Sequence, residues 1–486
     1  MLIWPYGSGE FTDLMNRRAL FVFILTVCAC RIYSAPASWP GFRGPNSSGV
    51  GAHCSPPTKI GTNDAVLWKV SVPWSPSSPC VWGDAILLTT FADKELQTRC
   101  YQRRDGQLLW SRGVKAETLE TFHSTESSPA ASTPVTDGER LVSYFGSFGL
   151  VCYDLHGKEL WRHALPPALS LGGYGTATCP LIAGNLVVII RDRDDASSLL
   201  AVDLRTGAKV WETSRPDSYG TFGTPILWQN NDIAEVVVPG PLRLKGYALK
   251  TGQEDWNYEG TTAFVCTTPI TSDGLLFFAA WSDGKADEPL PSWEKFLADH
   301  DKNKDGMVSL DEFDEGSRDY YRGYDVNHDG KIDKADWDKI VFNVTKGENA
   351  AVAIKPGGRG NITSTHVVWK ATKGLPYVAS PVCYEGRLYM VKNGGMLSCL
   401  DSASGKPFYQ QERIGADGNY YASPVVADGR IYLASVSGKV TVVQTGGDKP
   451  VILHQTEFPE RIYATPALAE KNLYLRTRST LYAFGL

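Results

Sequence analysis

The sequence has no surplus of basic charge. Lysine and arginine number 48 against 53 aspartates and glutamates in 486 residues, for a formal net charge of −5. A chain so balanced has little with which to neutralise a phosphate backbone, so nucleic acid is not an expected partner. Apolar runs long enough to cross a bilayer are also missing: the longest, Ala19 to Cys30, covers 12 residues, where a spanning helix needs about 20. Adjacent cysteines are absent, although there are 10 in all. Against these shortages stand 47 glycines, 29 prolines and 14 tryptophans, the profile of many short strands joined by tight turns, not of long helices.

The short apolar run belongs to an export signal. Met15 opens MNRR, a positive start, and the run ends before the small-residue site Ala35-Pro36-Ala37; cleavage is expected after Ala37, with residues 1–14 an upstream extension. Val27-Cys28-Ala29-Cys30 makes a poor lipobox. The protein is therefore expected to be exported, periplasmic or extracellular. Cys54, Cys80, Cys100, Cys152, Cys179, Cys266, Cys383 and Cys399 remain. An even count in an exported chain permits disulfides, but most of these fall at recurring repeat positions, which reads as small packing residues on strands.

A repeat organises the rest. A small residue and a proline precede a few apolar residues, a turn pair and a β-rich run, as in TPVTDGERLVSYF, TPITSDGLLFFAAW and SPVVADGRIYLAS. The anchoring prolines are Pro79, Pro134, Pro180, Pro225, Pro269, Pro381, Pro424 and Pro466, spaced 42 to 55 residues apart except for one interval of 112. Several copies continue into a second hairpin whose Gly turn leads to Trp110, Trp161, Trp211 or Trp256. Such a tryptophan cannot be buried by its own sheet, so neighbouring sheets must cover it. Eight four-stranded units that need face-to-face stacking specify an all-β, eight-bladed β-propeller. The last copy ends at Leu486 without its tryptophan, while AVLWKVSV around Trp68 precedes the first copy without a sheet of its own. The N-terminal strand is thus expected to complete blade eight.

These residues resemble a known family. Ala201 to Trp211, AVDLRTGAKVW, matches the Ala-x-Asp-x-x-Thr-Gly-x-x-x-Trp docking motif of pyrroloquinoline-quinone (PQQ)-type propellers, and WPGFRGPNSSGVG, Trp39 to Gly51, is similar to the start of secreted bacterial proteins of this class. The resemblance implies one of two functions. One is a quinone-dependent dehydrogenase with quinone and calcium in the propeller funnel. The other is a non-catalytic scaffold, as in BamB-like propellers. The alcohol-oxidising members typically carry a vicinal cysteine pair, and no aspartate here can be matched to their base. No catalytic residue is assigned, and no quinone is expected. Carbohydrate chemistry would need a carboxylate pair that the sequence does not place.

The long interval marks an insert, expected at 283–349 between strands B and C of blade five, which divides the propeller into 38–282 and 350–486. The insert contains two twelve-residue loops with EF-hand spacing. The first offers Asp301, Asn303, Asp305, the Met307 carbonyl, Ser309 and Glu312; the second offers Asp325, Asn327, Asp329, the Lys331 carbonyl, Asp333 and the shorter Asp336. Gly306 and Gly330 occupy the sharp-turn position, and Val308 and Ile332 the apolar eighth position. Two calcium ions are expected. The insert holds 18 acidic against 10 basic residues, so the net acidity of the chain resides within it. Trp293, Phe296, Leu297, Phe313, Tyr320, Tyr321 and Tyr324 are read as the core of a small α-helical EF-hand pair.

In a propeller the B-to-C turns and the D-to-A connections between blades share one face, so the insert overhangs these connections. They are rich in aromatic residues: Trp74, Phe222, Phe264, Tyr377, Tyr420 and Tyr463, with Tyr174 and Tyr421. These side chains either wedge between blades or form a contact surface for a protein or cell-envelope partner. The expected protein is a monomeric, calcium-binding scaffold.

Overall fold

The computed structural model describes residues 38–168, 173–193, 196–218, 220–231, 233–282, 290–327 and 329–485. The expected leader, the first residues of the insert at 283–289 and the side chain of Tyr320 lie outside them. Successive antiparallel sheets occupy 80–114, 135–164, 181–214, 226–259, 270–371, 382–413 and 425–457, and an eighth is built from 467–484 together with Val66–Ser71. In the first seven blades strands A to D follow chain order, in the eighth the N-terminal strand takes the D place, and A strands of most neighbouring blades touch around the axis. Strand B of blade three, Leu186–Arg191, is buried from Val187 onward because adjacent blades cover both of its faces. Strand D, Lys209–Ser214, buries only Trp211.

The small residue before each anchoring proline has a specific task. The amide of Ser78 donates to Thr133 Oγ1, Thr133 to Cys179 Sγ, Cys179 to Thr224 Oγ1 and Thr224 to Thr268 Oγ1, over 2.9 to 3.2 Å. Thr268 then donates to Ser380 Oγ, Ser380 to Ser423 Oγ, Ser423 to Thr465 Oγ1 and Thr465 back to Ser78 Oγ, over 2.9 to 3.0 Å. The eight links close a belt around the axis. Every member is buried, so each bond satisfies an amide that water does not reach.

The tryptophans form a second set of links. Trp161 donates from Nε1 to the Leu204 carbonyl of the next blade at 2.9 Å, and its ring lies on Gly207, which has φ +73 and where a Cβ would stand 2.5 Å from the ring. Trp68, Trp110, Trp211 and Trp369 repeat this bond to Arg103, Leu155, Leu249 and Ser402 at 2.8 to 3.0 Å. Trp256 departs from it. It packs edge-on to Trp228, and its strand gains a parallel partner, Gly360–Asn361, from the long C-to-D connection of blade five. Closure follows the expected route, with Val66–Ser71 antiparallel to Thr480–Phe484.

The segment before that strand is a plug. Ser38 and Trp39 pair with Trp82 and Val81 of blade one, and the Pro40 carbonyl accepts from Thr136 of blade two at 2.9 Å. Asn46 makes two amide bonds with Leu227 of blade four, at 2.8 and 2.9 Å. Val50 bridges Val426 of blade seven, and Ser55 donates to the Glu470 carbonyl of blade eight at 2.7 Å. Between them the fully buried Arg43 donates to the Ser47 and Ser380 carbonyls at 2.9 Å and to Pro381 at 2.5 Å. The crossing lies toward the A-to-B turns, on the face opposite the insert.

Candidate calcium module and upper mouth

Three helices, α1 (Trp293–His300), α2 (Glu315–Tyr321) and α3 (Lys334–Lys346), flank the two loops. Ser292 caps α1 and Asp333 caps α3 through side-chain bonds to backbone amides. The loops pair through a two-residue antiparallel bridge, Val308 with Ile332 and Ser309 with Lys331. Beneath the bridge Phe296, Val308, Phe313, Ile332 and Trp337 make a buried core, joined by Trp293, Leu297, Tyr321 and Tyr324. The rings of Phe296 and Trp337 stack at 4.2 Å, and those of Phe313 and Tyr321 at 4.1 Å. Periodicity had assigned these aromatics to the module's interior, and that is where they lie.

Each loop winds around its first aspartate. Asp301 accepts from the Lys304 and Gly306 amides at 2.7 and 3.0 Å, and Asp325 accepts from Asp329 and Gly330 at 3.1 and 2.9 Å. Gly306 has φ +85 and Gly330 φ +89, so the turn at the sixth position requires glycine. The twelfth residues are engaged. Glu312 accepts from the Lys302, Asn303 and Ser309 amides at 2.7 to 3.0 Å, and Asp336 accepts from Val326 and Asp333 at 3.2 Å. Burial and the neighbouring Asp333 and Asp325 carboxylates hold Asp336 above the ordinary carboxyl range. Among the described residues no three acidic, histidine or cysteine side chains converge as a metal shell does. The oxygen donors have the kinds and order that a calcium shell uses.

The module is fastened to the propeller at its base. Ser282 and Asn349 exchange two bonds, at 3.0 and 2.9 Å, and Glu348 donates its amide to the Thr261 carbonyl at 3.0 Å. Val326, Ile340 and Val344 then bury against Ala263, with Phe264 and Tyr324 at the edge. Phe264, expected on a binding face, is therefore partly covered by the module itself.

The other mouth aromatics also depart from a continuous contact surface. Tyr420 is 1% exposed and donates its hydroxyl to the Ala416 carbonyl at 2.8 Å; it is core. Tyr463 is 6% exposed beneath Trp74, ring to ring at 5.2 Å. What reaches the surface is divided into clusters: Trp74 with Arg478 over its ring, Tyr174 between His123 and Phe222, and Tyr377 edge-on to Trp281. Sequence could not separate these roles, because a residue in a connection faces either the axis or solvent at the same spacing. All eight described cysteines are unpaired.

A family profile described as outer membrane protein assembly factor BamB matches residues 92–284 and 326–486, well over half of the chain. The chain belongs to this family of PQQ-like propellers. The unmatched stretch between the two parts falls within the insert. BamB from Moraxella catarrhalis shares the fold at TM-score 0.55 and 11% identity, over 87% of this chain and 97% of that one. A europium-containing methanol dehydrogenase aligns at TM-score 0.59 and 12% identity, over 93% and 99%. The computationally designed Ika8 protein aligns at 0.54 and 11%, over 87% and 100%. No curated protein sequence matches. At such identities the likeness concerns the fold, and propellers host unrelated functions.

Proposed function

We propose that this BamB-family propeller is an exported, non-catalytic scaffold that carries two calcium ions in its insert and binds a protein partner of the cell envelope on the insert-bearing face. The observation that carries the calcium assignment is the pairing of two twelve-residue loops through the Val308–Ile332 bridge, each presenting oxygen donors at alternating positions around a positive-φ glycine. Asp301, Asn303, Asp305, the Met307 carbonyl, Ser309 and Glu312 would hold one ion; Asp325, Asn327, Asp329, the Lys331 carbonyl, Asp333 and Asp336 would hold the other. Calcium prefers such oxygen shells and tolerates irregular geometry. Outside a cell even a weak site is filled, which favours a structural role: the ion would neutralise the acidic loops and stiffen a module that leans on blades four and five. Calorimetric titration of the whole chain with calcium is expected to give two sites, with Asp301→Ala and Asp325→Ala each removing one. Unchanged stoichiometry in both would reject the assignment.

The scaffold reading rests on the BamB family match and on a lower face sealed by the N-terminal plug, which leaves the upper face to vary. Tyr174, Phe222, Tyr377 and the module's acidic surface are the contacts it offers. A quinone in the mouth fits poorly with a chain that has no adjacent cysteines and no aspartate that matches the base of the quinone enzymes. Native mass spectrometry of the purified, calcium-loaded protein is expected to show protein and calcium alone; a retained quinone would overturn the scaffold reading.

A further inference from the structure

The two loops of the insert differ in what they touch. At the second position of the first loop Lys302 is exposed; at the same position of the second, Val326 is 5% exposed and shares a buried cluster with Ala263, Ile340 and Val344. Asp325, the first donor of the second loop, is buried, while Asp301 is half-buried. The helix that follows the second loop extends this contact. Gly347, at its end, lies so close to the propeller that a Cβ there would stand 2.8 Å from the Ala263 amide nitrogen. Among the described residues the first loop makes no such contact: its bonds stay within the module, and Val308 and Leu310 join only the module's own core.

The backbone on which Val326 and Gly347 pack belongs to the connection between blades four and five, and that connection is bonded to its neighbours on the upper face. The Thr262 carbonyl accepts from the Leu242 amide and the Val265 carbonyl from the Phe222 amide, both at 3.0 Å, and Val265 forms a parallel bridge with Thr221. Phe222 in turn packs edge-on to Tyr174 at 6.3 Å. Contacts thus run without a break from the first donor of the second loop to two aromatics of the proposed contact face. We propose that the second loop is the coupling site: calcium held there orders the connection between blades four and five and, through it, Phe222 and Tyr174, whereas calcium in the first loop steadies the module alone. This rests on the calcium assignment and the contact face given above. Its physical basis is shared ordering. An ion that fixes Asp325 restrains Val326, and a restrained Val326 lowers the cost of ordering the backbone it packs on. By reciprocity, a partner that orders Phe222 and Tyr174 raises the calcium affinity of the second loop and leaves that of the first unchanged.

Hydrogen exchange of the full chain, read by mass spectrometry with calcium as the only probe, tests this through the Phe222 and Leu242 amides, which are bonded to the connection and lie outside the insert. Calcium is expected to slow their exchange at least about five-fold in the parent and in Asp301→Ala, and to have no effect in Asp325→Ala. Val326→Ala removes no ligand. It is expected to keep two calcium sites in calorimetry and the helical circular dichroism of the parent, while losing most of the slowing. Slowing that survives in Asp325→Ala or Val326→Ala, slowing lost in Asp301→Ala, or two bound ions without slowing in the parent would each overturn the proposal. Absence of any calcium binding by calorimetry would remove the calcium assignment itself, and this proposal with it.

Discussion

Glu120→Gln should change how the stability of this propeller responds to pH. Glu120 is 3% exposed in the connection between blades one and two. A Cβ on Gly146 would stand 2.4 Å from its Oε2, so glycine there admits the carboxyl. Burial pushes its pKa up from the ordinary 4.5 to about 7, against the opposing effect of the Thr176 bonds. Below 4.5 the carboxyl is protonated in both folded and unfolded chains. As the pH rises from there toward 7, the unfolded chain ionises while the fold holds the proton, so stability falls; beyond about 7 the loss is complete. At about 1.36 kcal/mol per pKa unit, this costs roughly 3 kcal/mol. Glutamine still accepts from Thr176 and cannot ionise. Urea unfolding of both proteins across this range is expected to show the variant gaining about 3 kcal/mol on the parent between acid and mildly alkaline pH, with every other titrating group cancelling in the difference. Parallel curves would refute the reasoning, since they would mean that the fold already accommodates an ionised Glu120.

Further variants test the ring. Trp161→Ala removes a buried plate and its bond to the Leu204 carbonyl, and should cost about 3–5 kcal/mol in denaturant unfolding. Gly207→Ala forces a Cβ onto the same ring at a positive φ, and about 2 kcal/mol or more of destabilisation is expected. In the belt, Thr224→Val keeps the shape but leaves the Cys179 amide without an acceptor, for an expected loss of about 1–3 kcal/mol, whereas Cys179→Ser retains an acceptor and should cost less. Arg43→Met strands the carbonyls that meet at the plug, and should cost on the order of 3 kcal/mol by thermal or urea unfolding; Arg43→Lys, which lacks the fork, should recover only part of it.

Much of this architecture was readable because the repeat is covalently local. A proline after a small residue, a turn pair and a Gly-x-x-x-Trp hairpin recur within one blade, so blade number and insert could be expected from spacing, and the closing strand from the last copy's missing tryptophan. What was not readable depends on contacts between blades. The belt uses residues that the repeat marks as small, but their bond to the next blade appears only once the ring is closed. Trp369 occupies the strand D position of blade five, yet the long stretch from Lys355 to His366 separates it from the hairpin pattern that would have exposed it. Trp256 carries the motif and is diverted by Gly360–Asn361, which comes from that same stretch. The plug has no periodicity, because its residues answer to a different blade at each step.

The two faces divide the work for a physical reason. Five tryptophan bonds join blades through the lower C-to-D turns, the belt joins all eight at the entry to each strand A, and the plug adds bonds across the axis on the lower side. A propeller held at its axis and lower turns can decorate its B-to-C turns without weakening these contacts. The insert leaves from the Ser282–Asn349 clasp, where its two ends are joined, so it adds a folded module at small loop-closure cost while the strands on either side keep their register. Loss of calcium should therefore unfold the insert before the ring: in heating followed by circular dichroism, chelator is expected to lower an early helical transition and leave the later strand transition nearly in place. A single transition that moves as a whole with calcium would show that the clasp transmits the module's stability to every blade, and the division of faces would have to be abandoned.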